Sequence, residues 1–141
     1  MSHSLNKIWI HVVLGTKKGK PFIKHGFEDK LYRFLEKQLM ELGCYVKIIN
    51  GMPDHVHVLF ILNRSRSVSE VMKQLKGSSS HWINTEKLTI EKFEWQVGYG
   101  AFSVSEFNVD MVFNYIKRQK EHHARQTYPQ EILSLNNLIN P

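Results

Sequence analysis

The chain has 141 residues, a length at which one domain with a proper core is expected, and its 42% hydrophobic and 23% charged residues exclude a disordered polymer. No apolar run nears the ~20 residues of a membrane span, the N-terminal residues lack a signal-peptide layout, and the lone Cys44 excludes an internal disulfide, so a cytoplasmic protein is expected. A formal net charge of +6 favours polyanionic partners, nucleic acid first.

Residues 7–16 are β-branched and aromatic, which predicts a first strand. A basic loop follows, carrying Lys17, Lys18, Lys20 and Pro21. Phe27, Leu31, Phe34, Leu35, Leu39 and Leu42 recur at helical spacing and predict an amphipathic helix ending at Gly43. Residues 44–50 read as a second strand, 51–54 as a turn and 55–62 as a third strand, together a hairpin. Ser67 and Glu70 have capping-box spacing before a helix striped by Val68, Val71, Met72, Leu75, Trp82 and Ile83. The small residues 77–80 are expected to weaken that helix and to admit a second backbone, of protein or nucleic acid. Residues 95–105 predict a fourth strand. Asn108 can cap a last helix over 109–124, and a polar tail begins at 126. The order β-α-β-β-α-β with an extra C-terminal helix predicts an α+β, ferredoxin-like sheet within a single domain over 1–141, its core about 6–125. Two helices cover one sheet face. The other is left to a ligand, a partner or the extra helix.

His55 and His57 stand two apart in the third strand, so both imidazoles share one face while Val56, Val58 and Phe60 point to the other. At roughly 6.5–7 Å between Cα atoms, two imidazoles can converge on one metal ion. The plainer alternative is a packed or solvated pair. A histidine-triad hydrolase would want histidine where Leu59 stands, and one cysteine cannot build a zinc finger.

In the last helix Val109, Val112, Phe113 and Ile116 form the apolar stripe. Tyr115 lies roughly 110° from its centre at 100° per residue. Gln119 and His122 follow on that face at i+4 and i+7, with Lys117, Arg118, Lys120 and Arg125 around them. The face is either a solvated polar surface or a catalytic one. Phenol, with a free pKa of about 10, is a weak nucleophile that a nearby metal and cations activate while they hold a phosphodiester. Gln119 can add an oxygen ligand to a metal on His55 and His57 and still leave coordination positions open.

These two constellations resemble one family. Met52-Pro-Asp-His-Val-His-Val-Leu-Phe60 resembles the histidine-hydrophobic-histidine (HUH) motif of the single-tyrosine, TnpA-type transposases of the smallest bacterial insertion sequences. Tyr115-Ile-Lys-Arg-Gln-Lys-Glu-His-His123 resembles their tyrosine helix, and Trp9-Ile-His-Val-Val13, Leu75-Lys-Gly-Ser-Ser79 and Gly98-Tyr-Gly-Ala-Phe-Ser-Val104 agree as well. The resemblance implies a homodimer that binds hairpin-bearing single-stranded element ends and cleaves them with a divalent cation, Mg²⁺ or Mn²⁺. It further implies that Tyr115 would attack the scissile phosphorus, leaving a 5′-phosphotyrosine and a free 3′-OH, with rejoining that needs no ATP. His55, His57 and Gln119 carry over as metal ligands, with His122 in support. Imidazole donors suit Mn²⁺ better than Mg²⁺, so Mn²⁺ is expected to bind at least as well. Because two helices already cover one sheet face, the tyrosine helix is expected to pack on a partner's open face and build the site in trans.

Lys17, Lys18, Lys20, Lys73, Lys76, Ser78 and Ser79, with Lys117 and Arg118, are the expected DNA-contacting residues. The 15–21 loop departs from the family in lacking an arginine near Pro21. The rival reading is a non-enzymatic single-strand binder that stacks bases on an open sheet. It wants exposed aromatics where the third strand offers His55, His57, Leu59 and Ile61. A domesticated transposase acting on chromosomal repeats stays open within the enzyme reading.

Overall fold

The computed structural model describes residues 4–122 and residue 132. At its centre is β1 (Trp9–Gly15), all seven residues of which are buried. β1 pairs antiparallel with β3 (His55–Ile61) on one side and β4 (Gly100–Val104) on the other, and β2 (Tyr45–Met52) completes the order β2-β3-β1-β4. Helices α1 (His25–Glu41) and α2 (Val68–Thr85) fall between the strands in the split β-α-β-β-α-β order, so the ferredoxin-like α+β architecture stands.

Alternation along the strands sorts the two faces. Ile10, Val12 and Leu14 of β1 and Val56, Val58 and Phe60 of β3 meet Leu31, Leu35 and Leu39 of α1 and Val71, Met72 and Leu75 of α2 in the main core. The hairpin turn is tighter than expected. Pairing continues to Met52 opposite His55, which leaves only Pro53 and Asp54 in the turn. Glycine is required at 51, because a Cβ there would collide with the His55 carbonyl oxygen.

Three local expectations are corrected. Residues 77–80 do not weaken α2: the helix runs unbroken from its Ser67 cap, whose hydroxyl accepts the Glu70 N–H at 3.1 Å. A side chain at Gly77 would meet nothing, and the close approach occurs at Ser79, where a protein group, the Trp95 indole, arrives. The fourth strand begins at Gly100 rather than 95. Trp95 keeps one isolated bridge to Thr16, and the chain then bends through Gly98, whose φ of +83° suits glycine.

The third correction bears on function. The last helix is not one continuous element. It is α3 (Val109–Lys117), entered through a 3₁₀ turn over Glu106–Asn108 without a side-chain cap from Asn108, then a break at Arg118 (φ −94°, ψ 17°), then α4 (Gln119–His122). Its apolar stripe lies on its own chain's sheet. Val109 and Ile116 join Trp9 and Leu59 in a second core cluster, with Val112, Phe113, Ile48, Ile61 and Val104 packed around them. Within the one chain described, the stripe is thus buried in cis, on a matching apolar surface of the chain's own sheet, where the sequence led us to expect a partner's. Arg125 and the polar tail from 126, residue 132 apart, lie outside the described residues.

Candidate active site

The side of the sheet covered by α3 collects the odd-numbered residues of β1 and β3. Their register places His57 opposite Val13 and Leu59 opposite His11. His55 and His57 are thus presented together, as the two-residue spacing predicts, and both are buried.

Each imidazole is held by its Nδ1. That of His55 lies 2.7 Å from the Asp54 Oδ1, and that of His57 lies 2.8 Å from the Nε2 of His11, itself buried. The His11 and His57 rings stack with centroids 5.1 Å apart. Such outer partners fix ring orientation and tautomer and raise ligand basicity. On the far side of His55, its Nε2 lies 3.3 Å from the Oε1 of Gln119, which is fully buried. When the His55 Nδ1–H donates to Asp54, the neutral ring turns its Nε2 lone pair toward the amide oxygen, and a cation between them satisfies both. The donor set of two imidazoles and an amide oxygen fits a divalent ion that keeps open positions. Among the described residues no group of three or more His, Cys, Asp or Glu side chains could hold a metal, and the third donor here is the Gln119 amide.

Tyr115 completes the group. Half-buried at the edge of the second cluster, its ring meets His57 edge-on at 5.8 Å and 80°, and His11 at 6.4 Å and 67°. The structure therefore brings together His55, His57, Gln119 and Tyr115. Lys117 and Arg118 lie exposed beside them. His122 ends α4, and its side chain lies outside what is described.

The expected DNA-contacting residues divide. Lys17, Lys18 and Lys76 gather around residues 94–98: Lys17 pairs with Glu94 at 3.0 Å, the Lys18 N–H donates to the Gln96 side chain at 3.3 Å, and Lys76 donates to the Gln96 and Gly98 carbonyls at 2.8 Å each. Burial lowers the pKa of Lys76. Lys20 pairs with Glu91 at 2.8 Å, and the hydrogen bonds from Lys17 and Lys20 hold the Glu94 and Glu91 carboxyls below the usual range. Lys73 is exposed, and Ser78 is half-buried with its hydroxyl turned back toward the Leu75 carbonyl. Ser79 is corrected. It is fully buried, donates to the Leu75 carbonyl at 2.6 Å and accepts the Trp95 indole N–H at 2.9 Å, so it packs the interior and faces no DNA.

Sequence reasoning gave no role to His11, Asp54 or Asn50, and Lys120 counted only among the cations around Tyr115. His11 was accessible to it: in an antiparallel neighbour of β3, the odd positions of β1 face the histidines. Asp54 is adjacent to His55, and the sequence shows it as turn chemistry and as part of the motif without giving its carboxylate a function. Asn50 and Lys120 carry no pattern in the chain.

The family model described as "Transposase IS200 like" matches residues 4–119. Among solved structures, the chain is similar to a candidate transposase of Deinococcus radiodurans, with TM-score 0.69 and 22% identity over 84% of this chain and 95% of that one. It is also similar to a REP-associated tyrosine transposase bound to a REP hairpin, with TM-score 0.66 and 11% identity over 87% of this chain and 72% of that one. No curated protein sequence matches. Among the described residues no helix is long and apolar enough to cross a membrane.

Proposed function

The chain belongs to the IS200-like transposase family, and from that premise we propose that it cuts and rejoins single-stranded DNA with Tyr115 as nucleophile. The phenol oxygen bonds to the scissile phosphorus and loses its proton. The phosphorus–O3′ bond breaks and the 3′ oxygen takes a proton, leaving a 5′-phosphotyrosine and a free 3′-OH. Reversal with another 3′-OH joins strands without ATP, because the phosphotyrosine conserves the bond energy. The observation that carries this reading is the meeting of the Tyr115 ring with His57, beside the His55–Gln119 pair.

His55, His57 and Gln119 would hold Mg²⁺ or Mn²⁺. Such an ion, when bound, polarises a phosphoryl oxygen and stabilises charge on the leaving oxygen. The chain's own groups do the rest. Asp54 and His11 keep the two imidazoles oriented, α3 shields the face from water, and Lys117 and Arg118 attract the DNA backbone. Lys17, Lys18, Lys20, Lys73, Lys76 and Ser78 form the proposed second contact with DNA. The hairpin named with the second structural neighbour supports hairpin-bearing single strands as the substrate. One chain supplies all four central residues, so a homodimer need not share its sites. The rival reading, bases stacked on an open sheet, loses its surface because α3 covers that face.

The test is Tyr115→Phe with labelled single-stranded end DNA on a denaturing gel. Hairpin binding should persist and the covalent adduct vanish. A surviving adduct would remove Tyr115 as nucleophile and direct attention to the part-exposed Tyr99.

A further inference from the structure

The break at Arg118 frees the last carbonyls of α3, and one side chain from β2 takes them. Asn50, paired across the sheet with His57, donates its Nδ2 to the Ile116 carbonyl at 3.0 Å and the Lys117 carbonyl at 3.2 Å. Its Oδ1 accepts from the Lys120 ammonium at 3.0 Å. The same ammonium donates to the Gly51 carbonyl at 2.6 Å and pairs with Glu28 of α1 at 2.9 Å. An ammonium has three protons, and here three oxygens from β2 and α1 receive them. Gln119 sits between these anchors: the backbone is held at 116–117 on one side of it and by the side chain of Lys120 on the other.

We propose that Asn50 and Lys120, braced by Glu28, form a clasp that sets Gln119 against His55, and that they are positioning residues of this site. The inference rests on the assignment of Gln119 to the active site. The geometry gives the clasp its direction. Without the Asn50 contacts, the carbonyls at the end of α3 must turn to solvent. Without Lys120, α4 loses its ties to Asn50 and Gly51 of β2 and to Glu28 of α1. In either case the backbone on one side of Gln119 loses an anchor, and the 3.3 Å approach of its amide oxygen to His55 is less firmly set.

The experiment uses the full chain with Lys120→Met, Lys120→Arg, Asn50→Ala and Glu28→Gln. Hydrogen exchange of residues 116–122 in metal-free protein is one readout, and calorimetric Mn²⁺ titration is the other. Losing charge-assisted bonds should speed exchange over 116–122 by about tenfold or more in Lys120→Met and Asn50→Ala, with β1 and β3 unchanged. Mn²⁺ affinity should fall about tenfold, as for other groups that orient a ligand. Lys120→Arg should recover most of both effects. Should Asn50→Ala fail to fold, Glu28→Gln must show the same pattern at smaller amplitude. Unchanged exchange and unchanged affinity in Lys120→Met would overturn the clasp. A wild-type chain that binds no Mn²⁺ would overturn the metal reading instead, and the exchange readout would still decide the clasp.

Discussion

Ile116→Ala tests whether the tyrosine helix belongs to its own sheet. Ile116 is fully buried against Trp9, Leu59 and Val109, so truncation removes apolar contact and leaves a void that only these neighbours can fill. Large-to-alanine changes at such sites cost roughly 2–5 kcal/mol. α3 is short and lies near the end of the described chain, so it can settle partway into the gap, and about 2–3 kcal/mol is expected. That corresponds to a roughly 30- to 150-fold larger undocking constant. Because the main core lies on the opposite face of the sheet, the loss should appear first as local opening of α3 and α4, not as global unfolding. The assay is hydrogen exchange of residues 109–117 in dilute protein. Their exchange should accelerate by that factor while the amides of β1 and β3 hold, and neither rate should depend on protein concentration. Unchanged exchange in Ile116→Ala would refute the argument. So would wild-type protection that rises with concentration, since the helix would then be docking on a second chain.

Three other outcomes are expected. His55→Ala or His57→Ala should abolish cleavage even in excess Mn²⁺, whereas Gln119→Ala should reduce it and be partly rescued; calorimetric affinities left unchanged in the histidine variants would return the pair to a packing role. Glu94→Gln and Glu91→Gln should free Lys17 and Lys20 for phosphate, tightening hairpin binding a few-fold and steepening its salt dependence by about 0.7–0.9 per cation. Because these carboxyls titrate below the usual range, the ion pairs should persist as pH falls through that range and break only below it, so the two Gln variants should still bind more tightly than wild type near pH 4.5, and convergence there would contradict the assignment. Mixing Tyr115→Phe with His57→Ala chains should restore no cleavage even after subunit exchange, since a site built in cis cannot be rebuilt between them; recovered activity, with the adduct on the His57→Ala chain, would reinstate sharing.

Periodicity made the sheet and its helices legible because it reports which face of an element is dry. The two-residue spacing of His55 and His57 fixed their common face for the same reason, and the stripe of Val109, Val112, Phe113 and Ile116 identified a helix that must bury something. Periodicity does not say which surface receives the stripe. A second chain's open face and the chain's own are chemically identical, so the argument from a free apolar stripe could not distinguish cis from trans packing. Ser79 shows the same limit. A small residue permits close approach, and only the fold shows that the visitor is the Trp95 indole. Asn50 and Lys120 were illegible because their roles depend on a helix break that no glycine or proline marks. Arg118 is an ordinary helix former, and the break coincides with Asn50 taking the carbonyls that a continuing helix would use.

That break also changes what the tyrosine and glutamine mean to each other. In one straight helix, residues four apart are neighbours on one face at about 6 Å of rise, and any movement of one carries the other. Here Tyr115 and Gln119 belong to two helices with separate anchors. Tyr115 is held by the apolar cluster of Trp9, Leu59 and Ile116, and stays half-open. Gln119 is held through Asn50, Lys120 and Glu28, and is fully buried. In the roles proposed for them, a nucleophile that becomes covalently joined to DNA needs room around its oxygen, whereas a ligand must keep one position throughout. Apolar packing, which is non-directional, suits the first requirement, and directional, charge-assisted hydrogen bonds suit the second. The local chemistry of the two anchors thus matches the different demands on the two side chains.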